Sequence, residues 1–129
     1  MEIFNVTALI VSIVALLGIF ILNLTVGMYY GFGVQHYWFF QTLHFLGGFF
    51  VAMFLSSFFQ SARLVLVGLG IVTILWEFME FLVASTPTLS KYVKKWFRLK
   101  NVNYEWTDGL FDIVLNFTGA FVFLYFFPG

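Results

Sequence analysis

The sequence predicts an all-α fold: a polytopic membrane four-helix bundle carrying a short interfacial amphipathic helix. Three observations predict it. Of 129 residues, 62% are hydrophobic and 9% charged, against roughly 45–50% and about 25% in soluble domains. Four stretches are long and apolar enough to cross ~30 Å of hydrocarbon, which takes ~20 helical residues. Five of the six Lys and Arg residues are concentrated in one connector, in a helical pattern with an apolar face. This composition excludes a soluble globular enzyme and a disordered chain. With no Cys, disulfides, iron–sulfur clusters, thiolate zinc sites and Cys nucleophiles are excluded as well.

The spans read as residues 4–23, 37–59, 64–84 and 108–127, within one transmembrane domain covering 1–129. The first reads as a span rather than a signal peptide. Glu2 is its only early charge, and its apolar run exceeds an h-region. Connectors 24–36 and 60–63 are short, so the spans form one bundle. Small residues mark where helices can touch: Gly47, Gly48 and Ala52 in the second span, Gly68 and Gly70 in the third, Gly119 and Ala120 in the fourth. The 20 Phe residues need only lipid-facing positions, so they do not by themselves indicate a pigment or isoprenoid groove.

The long connector 85–107 holds an interfacial helix over about 87–99. Leu89, Tyr92, Val93, Trp96 and Phe97 follow the i, i+3, i+4, i+7, i+8 pattern of one apolar face. Lys91, Lys94, Lys95, Arg98 and Lys100 fall mostly on the other. Pro87 suits a first helical turn and Thr86 can cap it. Such a helix lies in the membrane interface with its cations toward anionic headgroups. Membrane lipid is therefore the expected partner, and nucleic acid is not. By the positive-inside rule the connector 85–107 is cytoplasmic and both termini lie outside.

Polar residues inside the spans point to a site. Gln41 and His44 lie in the second span, Thr73, Glu77 and Glu80 in the third, and Asp108, Asp112 and Asn116 in the fourth. At 1.5 Å per residue, His44, Glu77, Glu80, Asp112 and Asn116 all sit ~6–12 Å in from the same membrane side. Their spacings place each set on one helical face: Thr73, Glu77 and Glu80 at i, i+4, i+7, and Asp108, Asp112 and Asn116 at i, i+4, i+8. Ionisable residues at membrane depth are costly and mark functional interiors. With no Lys or Arg in the spans beyond the rim, protons or a bound cation must neutralise the carboxylates.

Two chemistries suit this set. His44, Glu77, Glu80, Asp108 and Asp112 are candidate ligands for one divalent cation, mixed N/O donors suiting Zn, Mn or Fe and oxygen donors Mg or Ca. The paired Glu-x-x-His motif of dimetal bundles is absent. Alternatively, Glu77, Glu80 and Asp112 are candidate catalytic residues for general acid/base work on a lipid-borne substrate. Gln41, Asn116, Lys94, Lys95 and Arg98 are candidates for contacting substrate or lipid. No nucleophile elbow, phosphate-binding loop or His-Glu-x-x-His motif is present. Whether the protein is an enzyme is left open.

His44-Phe45, Trp76-Glu77-Phe78-Met79-Glu80 and the stretch from Asp108 through Asp112, Asn116 and Gly119 to Ala120 together resemble small four-span VanZ-like and YjdF-like membrane proteins. The resemblance covers about residues 41–120. The Asp-x-x-x-Asn-x-x-Gly spacing is VanZ-like, without the Gln, Pro and Arg elements usual before its Asp. The Trp-Glu-x-x-Glu followed by a double Asp is YjdF-like. The resemblance implies an integral protein of a prokaryotic plasma (inner) membrane and an envelope or lipid-borne substrate. The expected function is binding of a cation or lipid headgroup at a buried His/Glu/Asp/Asn site in the cytoplasmic half. The alternatives are a small proton- or ion-coupled transporter, and a non-catalytic subunit of a larger membrane assembly. A homo-oligomer or a membrane-protein partner is compatible with any of them.

Overall fold

The computed structural model describes the backbone of residues 3–97 and 106–127, and within these the side chains of residues 6–33, 35–96 and 106–127. The described residues form helices and turns without strands. In order they are α1 (Ile3–Leu22), a π-helical segment (Asn23–Tyr29), α2 (Phe32–Gln35), α3 (Tyr37–Ser56), α4 (Ala62–Ser85), α5 (Pro87–Phe97) and α6 (Trp106–Phe126). Four stretches are long and apolar enough to cross a membrane: Val6–Tyr29, Tyr37–Ser56, Ala62–Ser85 and Trp106–Phe126. The all-α bundle with its short amphipathic helix is thus the observed fold.

The first span differs from its sequence reading. Asn23 was expected to end it and residues 24–36 to form a connector. The helix instead widens into π geometry and continues to Tyr29. The hydroxyl of Thr25 donates to the Ile21 carbonyl at 2.7 Å, so a polar side chain is satisfied within the helix. The amide of Tyr30 donates to the Thr25 carbonyl at 2.9 Å, the five-residue step of a π turn. The chain turns only at Gly31, whose φ of +76° is left-handed and open to glycine without a side-chain penalty.

The closest helix pair is not a sequential one. α3 packs most extensively on α6, and next on α1. Residue pairings along the α3–α6 seam rise together: Tyr37 with Asp108, His44 with Asp112, Phe45 with Gly119 and Phe49 with Phe123. The two helices therefore run parallel. α4 runs opposite, since Thr73 meets Asn116 while Gly70 lies against Phe117.

Two glycines permit the close approach. A Cβ on Gly48 would overlap the backbone carbonyl of Asn116, and one on Gly119 would overlap that of Phe45. Ala52 and Ala120 extend the seam, both fully buried. Gly68 abuts the flexible Leu55 side chain and Gly70 makes an ordinary contact, while Gly47 has nothing within 4 Å of a Cβ position. So of the sequence's small residues, Gly48, Ala52, Gly119 and Ala120 form the helix contact.

An apolar core of Ala52, Val65, Leu69, Ala120 and Phe123 fills the bundle at the end carrying the α3–α4 turn. The outer surface is apolar too, with Val14, Ile74, Leu75 and Val114 among its exposed side chains. That arrangement suits hydrocarbon solvent, where lipid tails cover what water would expel. α5 packs on α4 and the π segment with Ser90 buried, leaving Leu89, Tyr92 and Trp96 exposed. Val93 of the apolar face is half-buried, and Lys91 and Lys95 are exposed beside these residues.

Candidate functional site: a carboxylate cluster beside an elongated cavity

The polar stripes converge on the side of the α3–α6 seam that faces α4. α4 presents Thr73 and Glu77, 3% and 6% exposed, with Glu80 half-buried one turn on. α6 presents Asp112 and Asn116, each 9% exposed, on the same face as the seam residue Gly119. The helical repeat that seats glycine against α3 thus turns the two polar groups inward. α3 contributes His44, one turn before Gly48.

Carboxylate oxygens of Glu77, Glu80 and Asp112 all lie within 4.8 Å of one another. His44 Nε2 sits 3.3 Å from Asp112 Oδ2, and the imidazole has the Asn116 side chain as a hydrogen-bond partner. The Asn116 amide lies 3.5 Å from the Thr73 hydroxyl oxygen. The indole N–H of Trp76 donates to Glu80 Oε1 at 2.7 Å, which fixes that carboxylate from the side. Three ionised carboxylates this close would repel by about 3.5 kcal/mol per pair at 4.8 Å and an effective dielectric near 20. A counter-charge, as protons or a cation, is needed to hold them together.

The expected site residues divide. Glu77, Glu80, Asp112, His44 and Asn116 come together. Asp108 lies a turn beyond the cluster toward the helix end, where its Oδ1 accepts the Tyr37 hydroxyl at 2.8 Å. Gln41 is half-buried on α3 and does not line the cavity beside the cluster. Lys94 is half-buried and Lys95 exposed on α5, and neither lines the cavity. Arg98 and residue 99, the end of the expected interfacial helix, lie outside the described residues.

A cavity of about 240 Å³ adjoins the cluster. α3 forms its floor with Leu43, His44, Gly47, Gly48 and Val51, and α4 one wall with Leu69, Val72, Thr73, Trp76 and Glu80. α1 forms the opposite wall with Leu16, Ile19 and Phe20, and Asn23 opens the π segment at its polar end. Asn116 of α6 reaches in from behind. The backbones of α1 and α4 do not approach each other among the described residues. Only side chains bridge that gap, as where Phe20 meets Trp76 edge to face at 6.2 Å.

Sequence reasoning quoted Trp76 in a motif without assigning its bond to Glu80, and it missed Tyr37 and the α1 wall. Trp76 was legible in principle, lying four residues before Glu80 on one face. Tyr37 and Asp108 are 71 residues apart, with no local pattern linking them. No protein-family model, curated protein or solved structure matches the chain.

Proposed function

We propose that this is a multi-pass membrane protein that binds a cation at the Glu77, Glu80 and Asp112 cluster, in the cytoplasmic half of the bilayer. The observation that carries this reading is the convergence of three carboxylates from two helices within 4.8 Å, among spans that otherwise hold no charge at that depth. Carboxylates gathered as structural glue would repel one another, whereas a cation turns the repulsion into attraction. The orientation rests on the positive connector of residues 85–107, proposed to be cytoplasmic with both termini outside. The VanZ-like spacing around Asp112 supports a lipid-borne substrate in a prokaryotic inner membrane.

Membrane passage of the ion is the less supported reading. Val65, Leu69 and Phe123, each 1% exposed, pack against Ala52 and Ala120 beyond the cluster. An apolar plug of that kind leaves an ion no polar route to the opposite face.

Manganous ion titrated into the purified protein, followed calorimetrically, tests the proposal. Saturable binding near one equivalent that is lost in Asp112→Asn, with helicity unchanged, is the expected result. Wild-type protein that binds no more Mn²⁺ than Asp112→Asn overturns it.

A further inference from the structure

The cavity beside the cluster carries its carboxylate at one end only. Its walls run from Leu43 to Val51 on α3 and from Glu80 back to Leu69 on α4, about 12–16 Å at the helical rise. Glu80, His44 and Asn23 stand at one end, the paired Thr73 and Asn116 lie midway, and Leu16, Val51 and Leu69 stand at the other. At about 240 Å³ it exceeds the ~150 Å³ that admits benzene in an apolar protein interior. Glu80 belongs to both cavity and cluster, so whatever fills the one reaches the other.

We infer that the cavity seats a single-chain amphiphile with an ammonium head, the head at Glu80 and the alkyl chain along α3 between α1 and α4. This rests on the cluster being a cation site, and it names the class of cation. Charge complementarity selects the head. No Lys or Arg lines the cavity among the described residues, so a phosphate or carboxylate head would meet Glu80, with Glu77 and Asp112 within 4.8 Å of it, unopposed. An ammonium offers N–H donors to Glu80, the carboxylate that lines the cavity. Trp76 and Phe20 add aromatic rings beside a cationic head. Shape selects the chain, because beyond the paired Thr73 and Asn116 the cavity is lined by aliphatic Leu16, Val51 and Leu69. The gap between the α1 and α4 backbones gives such a chain a sideways path from the surrounding lipid.

Gly47 supplies the decisive variant. It lines the cavity, and a Cβ there meets nothing within 4 Å. Gly47→Leu therefore fills the chain's path without touching the carboxylates. In lipid nanodiscs, with empty discs subtracted, alkylammonium ions from ethyl to octyl are titrated against wild type, Gly47→Leu and Glu80→Gln. Matching 1-alkanols and Mn²⁺ serve as further probes. The expected result is affinity rising about fourfold per methylene for the ammonium series and weak binding of the alkanols. Gly47→Leu should abolish octylammonium binding and keep Mn²⁺ binding, which also reports its fold, while Glu80→Gln should weaken both. Octylammonium that binds no tighter than ethylammonium, or equally well to Gly47→Leu, overturns the inference while Mn²⁺ binding upholds the cation site. Octanol binding as tightly as octylammonium overturns the choice of head. Binding of neither cation overturns both.

Discussion

Adjacent glycines on α3 should respond to the same substitution with opposite sign. Gly47→Ala places a methyl group in open cavity, with nothing within 4 Å. It should stabilise the protein by roughly 0.5–1 kcal/mol, the usual helix gain of Ala over Gly. Gly48→Ala drives a methyl group into the backbone carbonyl of Asn116. No side chain can rotate away from that contact, so α3 and α6 must separate. Overpacking costs roughly 1–3 kcal/mol, which outweighs or cancels the helix gain. The two variants should therefore differ by that 1–3 kcal/mol despite identical chemistry one residue apart. Unfolding from mixed micelles by increasing SDS, followed by far-UV circular dichroism, measures both. Gly48→Ala should also weaken Mn²⁺ binding, because the displaced seam carries His44 on one side and Asp112 on the other. Equal stability for the two variants would refute the parallel α3–α6 contact.

Further outcomes follow from the same geometry. Tyr37→Phe removes an exposed hydrogen bond to Asp108; it should cost at most about 1 kcal/mol and leave Mn²⁺ affinity within twofold, whereas a larger loss of affinity would return Asp108 to the cation site. Trp76→Phe removes the donor to Glu80 and should weaken Mn²⁺ binding several-fold without unfolding the protein, as read by calorimetry and circular dichroism together. The orientation is open to single-Cys labelling, since the natural chain has no Cys. In intact spheroplasts an impermeant maleimide should label Gln60→Cys, on the α3–α4 turn, and should reach Thr88→Cys on α5 only after permeabilisation. The reverse pattern would invert the topology.

The spans and the polar layer were legible in the sequence for one reason. Charged and amide side chains are so costly within a bilayer that the few present carry most of the information. Glu77, Glu80, Asp112, His44 and Asn116 could be placed at one depth from helical rise alone. The end of the first span could not, because Asn23 and Thr25 look like a boundary until the hydroxyl of Thr25 is seen to bond back to Ile21. Nor could the α3–α6 pairing. Gly47 and Gly48 are equivalent in the sequence, and only the rotation of α3 decides which meets a backbone. The same rotation leaves Gly47 facing the cavity, while Gln41, one turn before His44 on its face, lies beyond the cavity's end. Asp108 shares a stripe with Asp112, but the stripe outruns the cluster, and Tyr37 takes the outer carboxylate.

Anomalous diffraction from crystals of the protein grown with Mn²⁺ locates the cation directly. A single strong peak coordinated by oxygens of Glu77, Glu80 and Asp112, missing from crystals of Asp112→Asn, is the result this account predicts. Manganese bound elsewhere with the three carboxylates vacant, or the carboxylates turned outward to lipid on different faces of the bundle, would contradict it.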